Sequence, residues 1–248
     1  MQNVSKWCAL RFTVRALFIS FLFLAVGALT FFLSAKAVRA DRPAECPVRG
    51  TVILDAGHGG ADGGAVGVNG VAEKDLNLAV AETLAGLLRE AGYEVIMTRS
   101  DDRLLLGEGE DVKGHRKEYD LKNRLAIAKA HPDAIFVSIH MNTYQASKYS
   151  GLQVYYADNT ESRRLAYAVQ SAVVEGVQPE NHRVPHAAGS SIYLLDNAVG
   201  TAVLIECGFL SNPEECALLS QKDYRARLSF SIFCGMIEYM KALEGAGQ

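Results

Sequence analysis

The sequence predicts an α/β domain whose strands run largely parallel, and three observations carry that prediction. Short apolar runs recur along the chain: Thr51-Val52-Ile53-Leu54, Ile135-Phe136-Val137-Ser138-Ile139 and Ala202-Val203-Leu204-Ile205. Runs of this length and composition read as strands buried in a sheet. An amphipathic helical stretch and a further strand follow the first run, and that order implies parallel strands joined by a crossover. Each run also leads into a side chain able to hold a metal or a proton. The first reaches His58 through Asp55-Ala56-Gly57, the second runs into His140, and the third into Glu206. In open α/β sheets ligands bind beyond the carboxyl ends of the strands, so the pattern points to one site assembled from distant parts of the chain.

Taken in order, the chain opens with an uncharged run over residues 16–35. As a helix it would span about 30 Å of hydrocarbon. Lys6, Arg11 and Arg15 precede it, and Ala35-Lys36-Ala37 resembles a signal-peptidase site. The run is longer than the roughly 7–15-residue apolar core of a signal peptide, which favours a retained anchor over a cleaved signal. Lys36, Arg39, Arg42 and Arg49 balance the upstream basic residues, so charge leaves the orientation open. The expected organisation is an anchor or signal segment over 1–40, a polar linker with two prolines over 41–49, and one domain over 50–248. About 200 residues suffice for a single sizeable core. A net charge of −3 and the lack of a basic stripe argue against nucleic-acid binding.

The first strand leads into a glycine-rich loop over residues 57–70. A helix is expected over 74–91, with Leu76, Val80, Thr83, Leu84, Leu87 and Leu88 on one face and Gly92 as its stop. A strand follows over 93–97. The charged stretch 100–119 reads as an exposed insertion, 120–130 as a helix ended by His131-Pro132, and 151–156 as a strand. A helix over 161–177 precedes a loop over 178–191. Asn212-Pro213-Glu214-Glu215 reads as N-cap, N1 proline and acidic first turn, and a last helix covers 223–243. The five cysteines form no CxxC pair and no even framework; Cys207, Cys216 and Cys234 read as small core residues. Cys207 should face away from Glu206 by strand alternation.

A catalytic zinc usually takes three protein ligands and keeps a fourth position open. His58, between glycines, and His140, at a second strand end, supply two imidazoles. Glu73 is the natural third, although a charge at a helix N-terminus explains it equally well. Asn142 could orient His140, contact substrate, or simply close an Asx-turn. Glu206 ends an apolar strand, where a carboxylate needs a cationic partner or a raised proton affinity. The second case suits a general base. His182 and His186 are spaced by four, but Pro185 disfavours the helix that would align them, so they are weaker candidates. His115 and His131 read as surface residues.

Together these segments resemble the zinc-dependent N-acetylmuramoyl-L-alanine amidases. The resemblance is carried by residues 53–60 (ILDAGHGG), Gly64-Ala65-Val66-Gly67, Glu73-Lys74, Ser138-Ile139-His140-Met141-Asn142 and residues 205–212 (IECGFLSN), which span the soluble part. It implies a three-layer domain with a mixed, mostly parallel sheet of about six strands flanked by helices. It implies Zn2+ held by His58, Glu73 and His140, with Glu206 as the catalytic glutamate and peptidoglycan glycan strands and stem peptides as substrate. The N-terminal segment and the 100–119 insertion resemble the spore-cortex branch, in which stem peptides are removed so that muramic-δ-lactam can form. The expected location is outside the cytoplasm, membrane-anchored or secreted and facing the cell wall, with the spore cortex compartment as what that branch implies. Asp196 and Thr201 depart from the family, which often has a basic residue and a proline there. A zinc peptidase and a silent, membrane-tethered wall-binding protein are the alternatives, and dependence on an activator protein stays open.

Overall fold

The computed structural model describes residues 49–246. The uncharged run 16–35, its basic flanks apart from Arg49, Cys8 and Cys46 lie outside the described residues. Among the described residues no helix is long and apolar enough to cross a membrane.

The elements are β1 (Thr51–Ala56), α1 (Glu73–Glu90), β2 (Glu94–Met97), α2 (Arg116–Ala130), β3 (Ile135–Asn142), β4 (Gln153–Tyr156), α3 (Thr160–Gly176), β5 (His186–Ala187), α4 (Tyr193–Asp196), β6 (Ala202–Phe209), α5 (Pro213–Leu219) and α6 (Lys222–Ala246). Six strands form one sheet in the order β2-β1-β3-β6-β4-β5. All neighbours are parallel except β4, which runs antiparallel to β6. The sheet is mixed and mostly parallel, as expected.

Strand alternation divides the core in two. Val52, Leu54, Val137, Ile139, Val203 and Ile205 face a larger cluster built with α1, α3 and α6. Ile53, Phe136, Ala202 and Leu204 face a smaller one that holds Leu125 of α2 and Leu194 of α4. The second face is thinly covered, and its polar positions are Asp55, Ser138, His140, Glu206 and Gln153. The chemistry therefore gathers on the side of the sheet with less helix over it.

Several expectations are corrected. β3 and β6 continue past His140 and Glu206, so both side chains stand inside strands rather than at their ends. Helix α2 starts at Arg116, four residues before the expected start, because Arg116-Lys117-Glu118-Tyr119 carries no apolar period to reveal it. Thr83 is exposed, its hydroxyl donating to the Ala79 carbonyl within α1. Cys234 is exposed, whereas Cys207 and Cys216 are buried; Ile232 and Met236, two residues to either side, take the core face of α6. The expected 178–191 loop contributes the short edge strand β5. Asn212 caps α5 as read, its Oδ1 accepting from the Glu215 amide.

Candidate active site

The loop after β1 is shaped by two buried arginines. Arg124 of α2 donates to the carbonyls of Ala56 and His58 and to Asp55 Oδ1 and Asp120 Oδ2. Arg99 donates to the carbonyls of Ala56, Gly57 and Lys74. Asp55 accepts further from the hydroxyls of Thr98 and Ser138. The Arg124 guanidinium holds the Asp55 carboxyl below its ordinary range even though burial pushes the other way. Held in this frame, His58 has φ 60, the one positive φ of a non-glycine residue among the described residues. That conformation costs about 1–2 kcal/mol, and residues kept in it cluster at functional sites.

Three of the residues singled out from sequence come together. His58, Glu73 and His140 each offer a ligand atom, and those atoms lie within 4.8 Å of one another. Glu73 Oε1 is 3.2 Å from His58 Nε2 and 2.9 Å from His140 Nδ1. The other Glu73 oxygen accepts from the Ala65 amide at 2.8 Å, which ties the glycine-rich loop to the first turn of α1. Burial raises the Glu73 pKa, but its contacts with the two histidines hold it well below the carboxylate range. Gly57 and Gly64 allow this closeness. A Cβ on Gly57 would stand 2.2 Å from His140 Nε2, and one on Gly64 would stand 2.5 Å from Glu73 Oε2.

Asp62 is a contributor that the sequence reading passed over. Its Oδ2 is 2.9 Å from His58 Nδ1. A carboxylate there fixes the tautomer with the proton on Nδ1 and leaves Nε2 facing Glu73. Burial lowers the His58 pKa, but Asp62 and Glu73 outweigh it and raise the imidazole to about 9. Asp62 itself falls to about 2 through its bond to His58. The spacing His58-x-x-x-Asp62 was visible, but nothing in a glycine-rich loop separates an orienting carboxylate from a turn residue.

Glu206 enters by strand register. It is the β6 partner of His140 on β3 and of Gln153 on β4. Its Oε2 is enclosed and accepts no hydrogen bond, and no cation pairs with it among the described residues. Burial pushes its pKa up to about 7, with His140 and His58 opposing and Glu73 adding to the rise. The cationic partner that the sequence left open for Glu206 is absent among the described residues. Asn142 makes no side-chain hydrogen bond to His140; it lines a cavity of about 220 Å³ with Gln153 and Arg183. A second cavity of about 310 Å³ opens against His58 and His140. His182 and His186 are exposed and outside the cluster, and Cys207 is sealed on the opposite face with its thiol pushed up by burial.

The raised Glu206 pKa has a measurable consequence for metal-free protein. The folded state keeps a proton on Glu206 that the unfolded chain releases from pH 4.5 upward, so the contribution of Glu206 to stability falls as pH rises towards about 7 and stays low above it. Glu206→Gln removes that loss. After chelation it should be more stable than wild type by on the order of 3 kcal/mol at about pH 8, and by little at about pH 4, in urea titrations. Equal differences at both pH values would refute the buried-carboxylate account.

A cluster of two imidazoles and a carboxylate, beside an enclosed and unpaired glutamate on an α/β sheet, defines a metal-competent hydrolytic site. Residues 52–238 match the N-acetylmuramoyl-L-alanine amidase family. The germination-specific N-acetylmuramoyl-L-alanine amidase of Bacillus subtilis is 37% identical over 200 residues, covering 80% of this chain and 83% of that protein. Among solved structures, the CwlD amidase from Clostridioides difficile in complex with the GerS lipoprotein matches with TM-score 0.74 and 38% identity, over 77% of this chain and 98% of that one. The amidase AmiC2 of Nostoc punctiforme matches with TM-score 0.66 and 27% identity, over 78% and 98%. The chain belongs to the N-acetylmuramoyl-L-alanine amidase family. It is an enzyme, a hydrolase of that class acting on peptidoglycan.

Proposed function

We propose that the chain cleaves the amide between the lactyl group of N-acetylmuramic acid and L-alanine through zinc held by His58, Glu73 and His140, with Glu206 as general base. The observation that carries this reading is the unpaired Glu206 carboxylate one strand away from His140. A buried carboxylate without a partner is costly, and a cation beside it relieves that cost. The donor set of two imidazoles and one carboxylate suits zinc with a position left open.

Zinc held there supplies Lewis-acid polarisation of the scissile carbonyl and makes water a better nucleophile near neutral pH. Glu206 accepts the proton of the attacking water on its carboxylate and delivers it to the leaving nitrogen of L-alanine. Burial, which raises the proton affinity of the carboxylate, favours its taking up that proton. Asp62 keeps His58 in the tautomer that presents Nε2. Arg124 and Arg99 hold the backbone that fixes His58 in position.

Asp62→Ala is expected to weaken zinc affinity about 10–100-fold, because the ring loses the group that orients it. Competition with a chelating dye reads this directly. Affinity equal to wild type would mean that Asp62 serves only the loop.

The proposal extends to setting and partners. Residues 1–40 anchor or export the chain, 41–49 link, and 50–248 form the zinc amidase domain at the outer face of the membrane. The name of the Bacillus subtilis relative supports spore cortex as the substrate, with muramic-δ-lactam formation as the outcome. The GerS complex of the CwlD amidase supports an activating partner protein. The decisive experiment digests purified peptidoglycan with the zinc-loaded, full-length chain and identifies products by mass spectrometry. Free stem peptides beginning at L-alanine are expected; fragments cut within the stem would make the chain a peptidase instead.

A further inference from the structure

Hydrogen-bonded to Gln153, the cross-strand partner of the proposed catalytic group, is a cationic side chain with no carboxylate of the described residues within salt-bridge distance. Arg183, in the segment between α3 and β5, stacks over Phe209 with its guanidinium carbon 4.5 Å from the ring centroid, and stands 5.9 Å from that of Tyr149. Its Nε donates to the Ser150 carbonyl at 2.8 Å and its Nη1 to Gln153 Oε1 at 2.9 Å. Among the described residues Nη2 makes no hydrogen bond and no carboxylate lies within salt-bridge distance. The guanidinium is thus fixed by two bonds and two rings, and Arg183 lines a cavity of about 220 Å³ together with Asn142, Tyr144, Tyr149, Gln153, Tyr155 and Phe209. Gln153 Oε1 is the link to the reaction centre, because Gln153 is the cross-strand partner of Glu206.

We infer that Arg183 is the specificity residue of a subsite for a free carboxylate on the stem peptide, on the second residue beyond the scissile bond. The inference rests on the proposed amidase reading, which puts L-alanine at Glu206. Directly paired residues on antiparallel strands have Cβ atoms about 5 Å apart, so Gln153 is about 5 Å from Glu206 and Arg183 one hydrogen bond farther. An extended peptide covers that distance in about two residues, at about 3.5 Å each. The second residue of the stem is γ-linked D-glutamate, whose α-carboxylate is free unless amidated. A guanidinium held planar against aromatic rings offers the fork geometry that a carboxylate takes. A stacked sugar would use the same rings but would leave the Arg183 charge unanswered.

The test compares two soluble probes, L-alanyl-γ-D-glutamate and its α-amide, L-alanyl-D-isoglutamine. Binding to the zinc-loaded, full-length chain is measured by calorimetry. Wild type is expected to bind the acid about tenfold or more tighter than the amide, the usual effect of a charge-assisted hydrogen bond. R183Q should bring the ratio close to one by weakening the acid selectively, and R183K should retain part of the preference. Equal binding of acid and amide by wild type, no binding of either, or equal loss of both in R183Q would each overturn the subsite. Cleavage of peptidoglycan is read separately. An acid preference that depends on Arg183, in a chain that frees no stem peptide, would sink the amidase reading and leave the subsite standing.

Discussion

Glu206→Ala is expected to keep its zinc and to lose turnover by about 10²–10⁴-fold, the range that removal of a general base produces. The substitution should leave the fold intact, because Glu206 Oε2 takes part in no hydrogen bond and the β6 backbone pairs with both neighbours independently of the side chain. Zinc content and the rate of stem-peptide release, measured on the same preparation, separate the roles. Full zinc with a collapsed rate makes Glu206 the base. Lost zinc would make it a ligand, and a wild-type rate would remove it from the reaction. Glu206→Gln, which keeps the volume and lacks the basicity, should behave as Glu206→Ala does in turnover.

The second large effect is structural. Arg124→Met should destabilise the domain by about 3–5 kcal/mol, because removing one member of a buried ionic group leaves its partners uncompensated. Arg124 is 1% exposed and bridges Asp55 and Asp120, which are 0% and 3% exposed. It also serves the carbonyls of Ala56 and His58, so the loss reaches the loop that carries the first imidazole. For a domain of this size the melting temperature should fall by roughly 6–20 °C. Arg124→Lys should recover little, because an ammonium cannot span both carboxylates and the two carbonyls at once. Unchanged unfolding midpoints in Arg124→Met would mean that the carboxylates find other partners or take up protons.

Much of the site was legible because strands and charge are incompatible unless something compensates. His140 and Glu206 stood out as polar side chains carried by apolar runs, and His58 as an imidazole between glycines. Glu73 was undecided, since a first-turn carboxylate satisfies a helix dipole as well as it holds a metal. Its contact with both histidines depends on how α1 packs against β3, which residue spacing does not encode. Asp55 carried a signal that could have been followed further: a carboxylate inside an apolar strand requires a buried cation, and that cation is Arg124, on a helix whose polar first turn masks its start.

The sequence by itself determined the strand–helix order, the apolar strands and the residue types able to bind a metal, because alternation and periodicity are local properties of the chain. The family motifs, being local too, were sufficient for the enzyme class. Tertiary structure alone decided which of these residues meet. The register that sets His140, Glu206 and Gln153 side by side across three strands arises from sheet order. The arginine clamp on the His58 loop and the caged Arg183 join residues far apart in the chain. Such contacts follow from how layers pack, and packing is a property of the whole domain.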